Sequence, residues 1–184
     1  MNKKITSLCI ALGVLLFTSL SYNYVQYDKL RKRESALSSI SGSALYNILE
    51  RYNSINELFK ENLNPTTLKK IQQALDDIDP YAGIADAALY DGTRYLSELD
   101  YSLSLSINAL IKRHKEQDAF QDKDLMLFNN LKSDIQMIPG AITGTYFLPE
   151  ELHDSKADLE PKDYSRMINM INKIESQLDA YKGN

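Results

Sequence analysis

The apolar positions of this chain begin with one long unbroken run. Residues Ile5 to Tyr27 contain no charged side chain and follow the basic pair Lys3 and Lys4. These twenty-three residues would extend about 34 Å as a helix, which is enough to cross the apolar core of a bilayer. The pattern therefore predicts a membrane anchor helix over residues 1–27, with three tyrosines at one membrane interface.

Two other interpretations of this run remain open. Its most apolar part, Leu8 to Phe17, is short enough to be the core of a cleaved signal peptide, and Ser19 and Ser21 offer a weak cleavage site. In that case the protein would be secreted after cleavage. The run is also compatible with a helix buried inside the protein.

Basic residues flank the run on both sides, so the positive-inside rule does not decide its orientation. Counting favours a cytoplasmic C-terminal domain, whereas a basic start followed by an apolar run favours export. We take export as the prediction, which makes residues 28–43 a basic and serine-rich connector and residues 44–184 an extracytoplasmic domain. Four basic side chains of the connector are predicted to lie at the membrane interface, as a plain flanking group or in contact with anionic headgroups: Lys29, Arg31, Lys32 and Arg33.

Beyond residue 43 the apolar positions recur at helical intervals of three and four residues. Four such stripes each form one face of a predicted helix: Leu45, Ile48, Tyr52, Ile55 and Phe59; Leu68, Ile71, Leu75 and Ile78; Phe128, Leu131, Ile135 and Ile138; and Tyr164, Met167, Ile171, Ile174, Leu178 and Tyr181. Stripes of this kind usually pack against one another. The sequence therefore predicts an all-α fold, an anchor helix followed by an antiparallel bundle of four to five helices.

The segment from Pro80 to about Gln117 is compatible with two structures. Residues 99–107 alternate between apolar and polar positions, which is a strand pattern, and residues 141–147 would pair with them in an α+β fold. No turn-forming residues interrupt residues 93–117, and a helical face is present as well, formed by Leu96, Leu99, Leu103, Ile107 and Leu110. We predict one long helix here, with the small strand pair as the alternative.

Prolines mark the predicted helix ends. A proline in the first turn of a helix loses no hydrogen bond, because the amides of that turn have no partner within the helix. Four prolines are therefore predicted to lie at helix starts: Pro65, Pro80, Pro149 and Pro161. Asn64 and Asp79 precede two of them and have side chains suited to cap a helix. The pair Pro139-Gly140 is predicted to end the fourth helix.

Charge and cysteine content narrow the function classes. Residues 34–184 contain 15 lysines and arginines against 24 aspartates and glutamates, a formal net charge of −9. A domain with this charge repels nucleic acid. The single cysteine is Cys9, so the domain has neither a disulfide nor a thiolate metal site.

Few residues offer chemistry for catalysis or metal binding. His114 lies in a basic group near a predicted helix end, where it would interact with the negative pole of the helix dipole. Glu150 and His153 have the spacing of half a bundle-type di-metal site, but no second pair accompanies them. We therefore predict no enzyme activity, no metal site and no cofactor.

Residues 139–160 are predicted to form a loop of about twenty residues, and loops of this length are often functional. One interpretation is a lid whose aromatic side chains plug one end of the bundle. The other is a partner-binding surface, and its candidate residues are Ile142, Tyr146, Phe147 and Leu148.

Taken together, the sequence predicts a single-pass membrane protein of the bacterial cell envelope, held by membrane lipid through its N-terminal helix. Its extracytoplasmic helical domain is predicted to bind a protein partner or to hold a complex together, without catalysis. The alternative is a sensor or regulatory ectodomain for a small ligand, in which helix shifts would be felt through the serine-rich residues 35–43.

Overall fold

The computed structural model describes residues 3–89, 91–147 and 156–183, and for residues 3–11 and Val14 it describes the backbone alone. This part of the chain contains six helices and no strand. The helices are α1 (Lys3–Leu58), α2 (Pro65–Asp76), α3 (Asp79–Ala88), α4 (Tyr95–Gln117), α5 (Asp122–Tyr146) and α6 (Ser165–Gly183). The all-α prediction is confirmed, and the alternative with a strand pair at 99–107 and 141–147 is wrong.

The chain divides into two compact units, residues 1–37 and 38–184. Helix α1 contributes to both units. In the first unit, the large apolar side chains that α1 presents from Leu12 to Leu30 are exposed. None of the helices, within the residues that the structure describes, has a stretch both long and apolar enough to cross a bilayer. The predicted anchor is therefore without structural support, and the side chains of residues 1–11, where it begins, lie outside the described part.

The core of the second unit is built from the predicted helical stripes. On α1, Leu45, Ile48, Tyr52 and Ile55 are each at most 1% exposed, and so is Phe59 directly after the helix. Helix α4 packs against α2, α3 and α6, and α5 packs against α6. The stripe of α6 from Met167 to Leu178 is buried as predicted. Burial of these stripes is the main force that holds the helices together, because apolar surface is removed from water on both sides of each contact.

The predicted long helix after Pro80 is in fact two helices, α3 and α4. Between them Gly92 adopts a left-handed conformation with φ of +69°, which glycine reaches without the steric cost of a Cβ. Within α4, Leu99 and Leu103 are fully buried, whereas Tyr101 and Leu105 are 64% and 37% exposed. A period of four rather than two therefore decides which side chains enter the core, and the region is helical.

Helix starts agree with the proline pattern in part. Asn64 caps α2, where its side-chain Oδ1 accepts a hydrogen bond of 2.9 Å from the Thr67 amide, and Pro65 occupies the first turn. The prediction of Asp79 as a cap is wrong, because Asp79 is already helical and the cap position is Ile78. The prediction of a helix start at Pro161 is also wrong. Helix α6 begins at Ser165, and Pro149 lies outside the described residues.

Helix α5 does not end at Pro139-Gly140 as predicted but continues to Tyr146. A proline inside a helix costs about 3 kcal/mol. Beyond it, Ile142 and Tyr146 are buried, and burying a large apolar side chain is worth ~1.5–3 kcal/mol. The two burials offset the cost of the proline, so the tertiary structure keeps the helix intact.

The predicted connector, residues 28–43, is helical throughout. Its last residues belong to the second unit, where Ser41 is 1% exposed. Ser38 exchanges two hydrogen bonds with Ala157: the Ser38 hydroxyl donates to the Ala157 carbonyl at 2.6 Å, and the Ala157 amide donates to the Ser38 carbonyl at 3.1 Å. The segment that follows the described end of α5 is thus fastened to α1.

Candidate functional site

Three tyrosines meet where α4 begins, α5 ends and α6 is about to begin. The ring centroids of Tyr95 and Tyr164 are 5.0 Å apart, and those of Tyr146 and Tyr164 are 6.1 Å apart in an edge-on arrangement. Both geometries are favourable for aromatic pairs. We call Tyr95, Tyr146 and Tyr164 the tyrosine cluster.

The buried carboxylate of Asp86 organises the start of α4 beside this cluster. Its oxygens accept hydrogen bonds from the Ser97 amide at 2.9 Å, the Ser97 hydroxyl at 2.7 Å and the Leu96 amide at 3.3 Å. Burial raises the pKa of Asp86, and these hydrogen bonds limit the rise. Asp86 on α3 therefore satisfies first-turn amides of α4 that have no partner within the helix.

Two hydroxyl groups of the tyrosine cluster, those of Tyr146 and Tyr164, are buried. The Tyr164 hydroxyl interacts with the Thr93 hydroxyl and the Asp91 carboxylate, whereas the Tyr146 hydroxyl has no hydrogen-bond partner among the described residues. Burial raises the pKa of Tyr164 to about 12, and the nearby Asp91 carboxylate adds to this. Burial also raises the pKa of Tyr146 well above its ordinary value. Because both phenols stay protonated near neutral pH, neither is a base or a nucleophile there.

The candidate partner-binding residues lie at this end of the bundle. Ile142 is 0% and Tyr146 is 1% exposed, and Phe147 is partly buried; Leu148 lies outside the described residues. The Asp158 amide donates to the Tyr146 carbonyl at 2.8 Å, so the returning chain fastens to the end of α5. Ile142 and Tyr146 lie in the last turns of α5, so the predicted loop over residues 139–160 is wrong for residues 139–146. Binding of a partner through these residues stays a prediction.

A groove of about 250 Å³ runs between α5 and α6. Helix α5 lines it with Lys123, Met126, Leu127 and Asn130, and α6 adds Ser176, Gln177, Ala180 and Tyr181. No prediction from the sequence included this site. The only sequence features that indicate it are the apolar pair on α5 and, opposite this pair, the small residues Ser176 and Ala180 on α6.

Tyr181 fixes one end of the groove. Its hydroxyl donates to the buried Asp124 carboxylate at 2.6 Å, and Asp124 also accepts from the Gln121 amide at 2.7 Å. Arg113 and Lys123 each place a cationic group 5.5 Å from the Tyr181 ring centroid. Burial and the bond to Asp124 raise the pKa of Tyr181. The cations and the hydrogen bond hold the end of α6 against α5.

Asp100, on α4, is another buried carboxylate, but it has a different environment. It is 4% exposed, and its Oδ1 has no hydrogen-bond partner within the described part of the chain. Burial raises its pKa to about 7, and the charges of Asp79 and Asp76 add to the rise. The side chain is therefore partly protonated at neutral pH, unlike an ordinary aspartate.

The predicted membrane-interface residues Lys29, Arg31, Lys32 and Arg33 are all exposed on α1. Lys32 forms an ion pair of 2.7 Å with Asp28 one turn away. Such an exposed pair is worth less than ~1 kcal/mol, so it leaves the group available to an anionic surface.

The histidines and possible metal ligands add no centre of chemistry to the described part of the chain. The His114 ring packs 4.4 Å from the Phe120 ring, centroid to centroid, and the predicted pair Glu150 and His153 lies outside the described residues. Across residues 3–89, 91–147 and 156–183 there is no group of three histidine, cysteine, aspartate or glutamate side chains placed to hold a metal ion. The described chemistry is hydrogen bonding, apolar contact and charge.

Comparison with protein-family models, with curated proteins and with solved structures finds no match to this chain.

Proposed function

We propose that this protein is a non-catalytic component of the bacterial cell envelope, tethered to a membrane by its N-terminal helix and binding a protein partner through its extracytoplasmic helical domain. The tether would consist of the uncharged residues 5–27, with the basic residues of the connector at the headgroups. The acidic second unit would bind the protein partner.

One observation supports the proposed membrane tether. Ten large apolar side chains on α1 are between 48% and 74% exposed: Leu12, Leu15, Leu16, Phe17, Leu20, Tyr22, Tyr24, Val25, Tyr27 and Leu30. Soluble surfaces rarely expose a continuous apolar patch of this extent. Moving ten such side chains from water into lipid is worth on the order of 10 kcal/mol. Each nearby basic residue adds ~1 kcal/mol on an anionic membrane.

The exposed outer face of α4 supports a binding role. Tyr101 and Leu105 lie one helical turn apart and are 64% and 37% exposed. Tyrosine is among the residues most often found to dominate the free energy of protein interfaces. Substituting the predicted residue Tyr146 would not test binding cleanly, because removing a fully buried aromatic side chain costs about 3–5 kcal/mol of stability.

The tether is tested by flotation with anionic lipid vesicles and by alkaline carbonate extraction of cell membranes. We expect the chain to float with the vesicles and to resist carbonate. Replacing Leu15 and Leu16 by Glu should release it, because two charges would enter the apolar core of the bilayer. Changing the four basic connector residues to Gln should reduce flotation on anionic but not on neutral vesicles. The matched control changes four exposed bundle lysines to Gln: Lys69, Lys112, Lys115 and Lys182. Full release of the unaltered chain by carbonate would refute the tether.

Partner binding and its location are tested by crosslinking in intact cells. We expect one envelope protein to crosslink to the second unit, and Tyr101→Ala to reduce this crosslink at least about fivefold, as for an interface residue that dominates binding. The control is Tyr46→Ala, since Tyr46 is also more than half exposed but lies on α1. Equal loss with both variants would contradict the proposal. So would survival of residues 38–184 when protease is added to intact cells, if the same residues are digested in lysed cells.

The second candidate function is a sensor of a small ligand. The groove between α5 and α6 favours it, because a concave apolar site with a few polar groups is the usual form of a small-molecule site. A sensor would show a ligand-dependent rise in melting temperature with no partner present.

A further inference from the structure

We propose that the groove between α5 and α6 binds a small monocarboxylate that carries an apolar tail. This inference rests on the second candidate function and names the class of ligand for its groove, and it does not depend on the tether or on partner binding.

The groove is an apolar surface that opens to solvent. On α5, Met126 and Leu127 lie side by side; Leu127 is 3% exposed and Met126 is 65% exposed. On α6, Ser176 and Ala180 stand one turn apart opposite them. Small side chains on one helix leave space beside a long side chain on the other, so the helices pack without filling the volume between them. An apolar tail would be buried against Met126, Leu127 and Ala180.

The polar groups of the groove select an anion. Lys123 is the charged residue that lines it, and Asn130 and Ser176 add an amide and a hydroxyl that donate hydrogen bonds. The adjacent Asp124 carboxylate is engaged by Tyr181 and by the Gln121 amide. Although residues 34–184 carry a net charge of −9, physiological salt screens exposed charges beyond about 8 Å. The local lysine therefore sets the preference for a carboxylate head.

The volume limits the ligand to a small molecule. The groove measures about 250 Å³, which is below the 300–1,000 Å³ that is typical of sites for drug-sized ligands. At ~30 Å³ per water it corresponds to roughly eight water molecules. Hexanoate, with a six-carbon chain, matches this size. A partly exposed ligand of that size is expected to bind with a Kd on the order of 1 mM.

The test is a titration of the whole chain in phosphatidylcholine nanodiscs with hexanoate, followed by NMR of ¹³C-labelled methionine methyl groups. We expect the Met126 signal to shift and to saturate. Met137 is the internal control, because it is also exposed on α5 but does not line the groove. Hexylammonium and 1-hexanol have the same number of carbon atoms as hexanoate but no carboxylate, and each should bind at least about fivefold more weakly. Equal affinity for the three probes, or a Met126 signal that does not shift in a saturable way, would overturn the proposal.

Two variants locate the binding. Lys123→Gln should weaken hexanoate binding about fivefold to tenfold through loss of the charge-assisted contact. Lys132→Gln on the same helix, outside the groove, should leave it unchanged. Ala180→Leu should abolish binding by filling the groove, while thermal unfolding stays cooperative. Hexanoate affinity unchanged in Lys123→Gln would refute the role of the lysine even if Ala180→Leu failed to fold.

Discussion

Asp100 makes the stability of the helical bundle depend on pH, and Asp100→Asn tests this directly. The carboxylate is almost fully buried in α4, and none of the residues that the structure describes forms a hydrogen bond with its Oδ1. Tyr52 on α1 packs nearby, and its phenol pKa is raised by burial and by the charge of Asp100. The acidic groups that act on Asp100 itself are Asp79 and Asp76. Burial and these two charges make the charged form of Asp100 less favourable.

The size of the effect follows from the pKa in the two states. Asp100 has a pKa of about 7 in the folded protein, against the ordinary value of 3.8 that applies to the unfolded chain. Below pH 3.8 both states are protonated, and the group does not change stability. Between pH 3.8 and 7 the unfolded state ionises while the folded state holds its proton, so stability falls as pH rises. Above pH 7 the loss levels off at about 4 kcal/mol, since one pKa unit corresponds to 1.36 kcal/mol.

The assay is urea unfolding followed by circular dichroism at pH 4, 6 and 8, in the wild-type chain and in Asp100→Asn. We expect the variant to be within about 1 kcal/mol of wild type at pH 4. At pH 8 it should be more stable by about 2–4 kcal/mol, because asparagine has no charge to bury. Asp79→Asn should give a smaller gain in the same direction, and Glu160→Gln, at an exposed site, should give none. An Asp100→Asn variant that is less stable than wild type at pH 8 would refute the reasoning.

Substitutions at three further positions test the helix contacts. Pro139→Ala should raise the free energy of unfolding by about 1–2 kcal/mol in urea titrations, because the amide donor that the helix gains outweighs the extra freedom of the unfolded chain; a loss would show that the proline is needed for packing. Asp86→Ala should lower the melting temperature through a loss of about 2–4 kcal/mol, and Asp86→Asn should lose less, whereas equal losses would deny the capping role. Tyr181→Phe should cost about 1–3 kcal/mol by removing the hydrogen bond to Asp124, and the control Tyr101→Phe at an exposed site should be neutral by calorimetry.

Helical periodicity predicted the core well, whereas prolines and capping residues predicted the helix ends less well. The stripes of α1, α2 and α6 became buried faces because an apolar stripe has the same consequence in almost any bundle. Asn64-Pro65 acted as predicted, since capping depends on the residues next to it. Pro139 did not act as predicted. Whether a helix continues through a proline depends on what the residues beyond it bury, and Ile142 and Tyr146 bury their side chains in contacts that are distant in sequence.

The candidate sites depended still more on the tertiary structure. The patch of Ile142, Tyr146 and Phe147 was identifiable in the sequence as apolar, but its burial follows from the extension of α5. The groove between α5 and α6 was almost impossible to identify from the sequence. A cavity arises from the difference between the side-chain sizes of two helices, and only the tertiary structure brings those helices together. Asp100 was hidden for the same reason: an aspartate in an alternating segment looks like a surface residue until its neighbours are known.

By itself, the sequence determined the helical class, the stripes that form the core, the acidic character of residues 34–184 and the uncharged run at residues 5–27. These properties depend on residue type and on spacing along the chain, and both are present before folding. The tertiary structure alone decided the course of α5 beyond Pro139, the break between α3 and α4, the buried charge of Asp100 and the groove beside Lys123. Each of these depends on which distant side chains meet, and that is settled only when the helices pack.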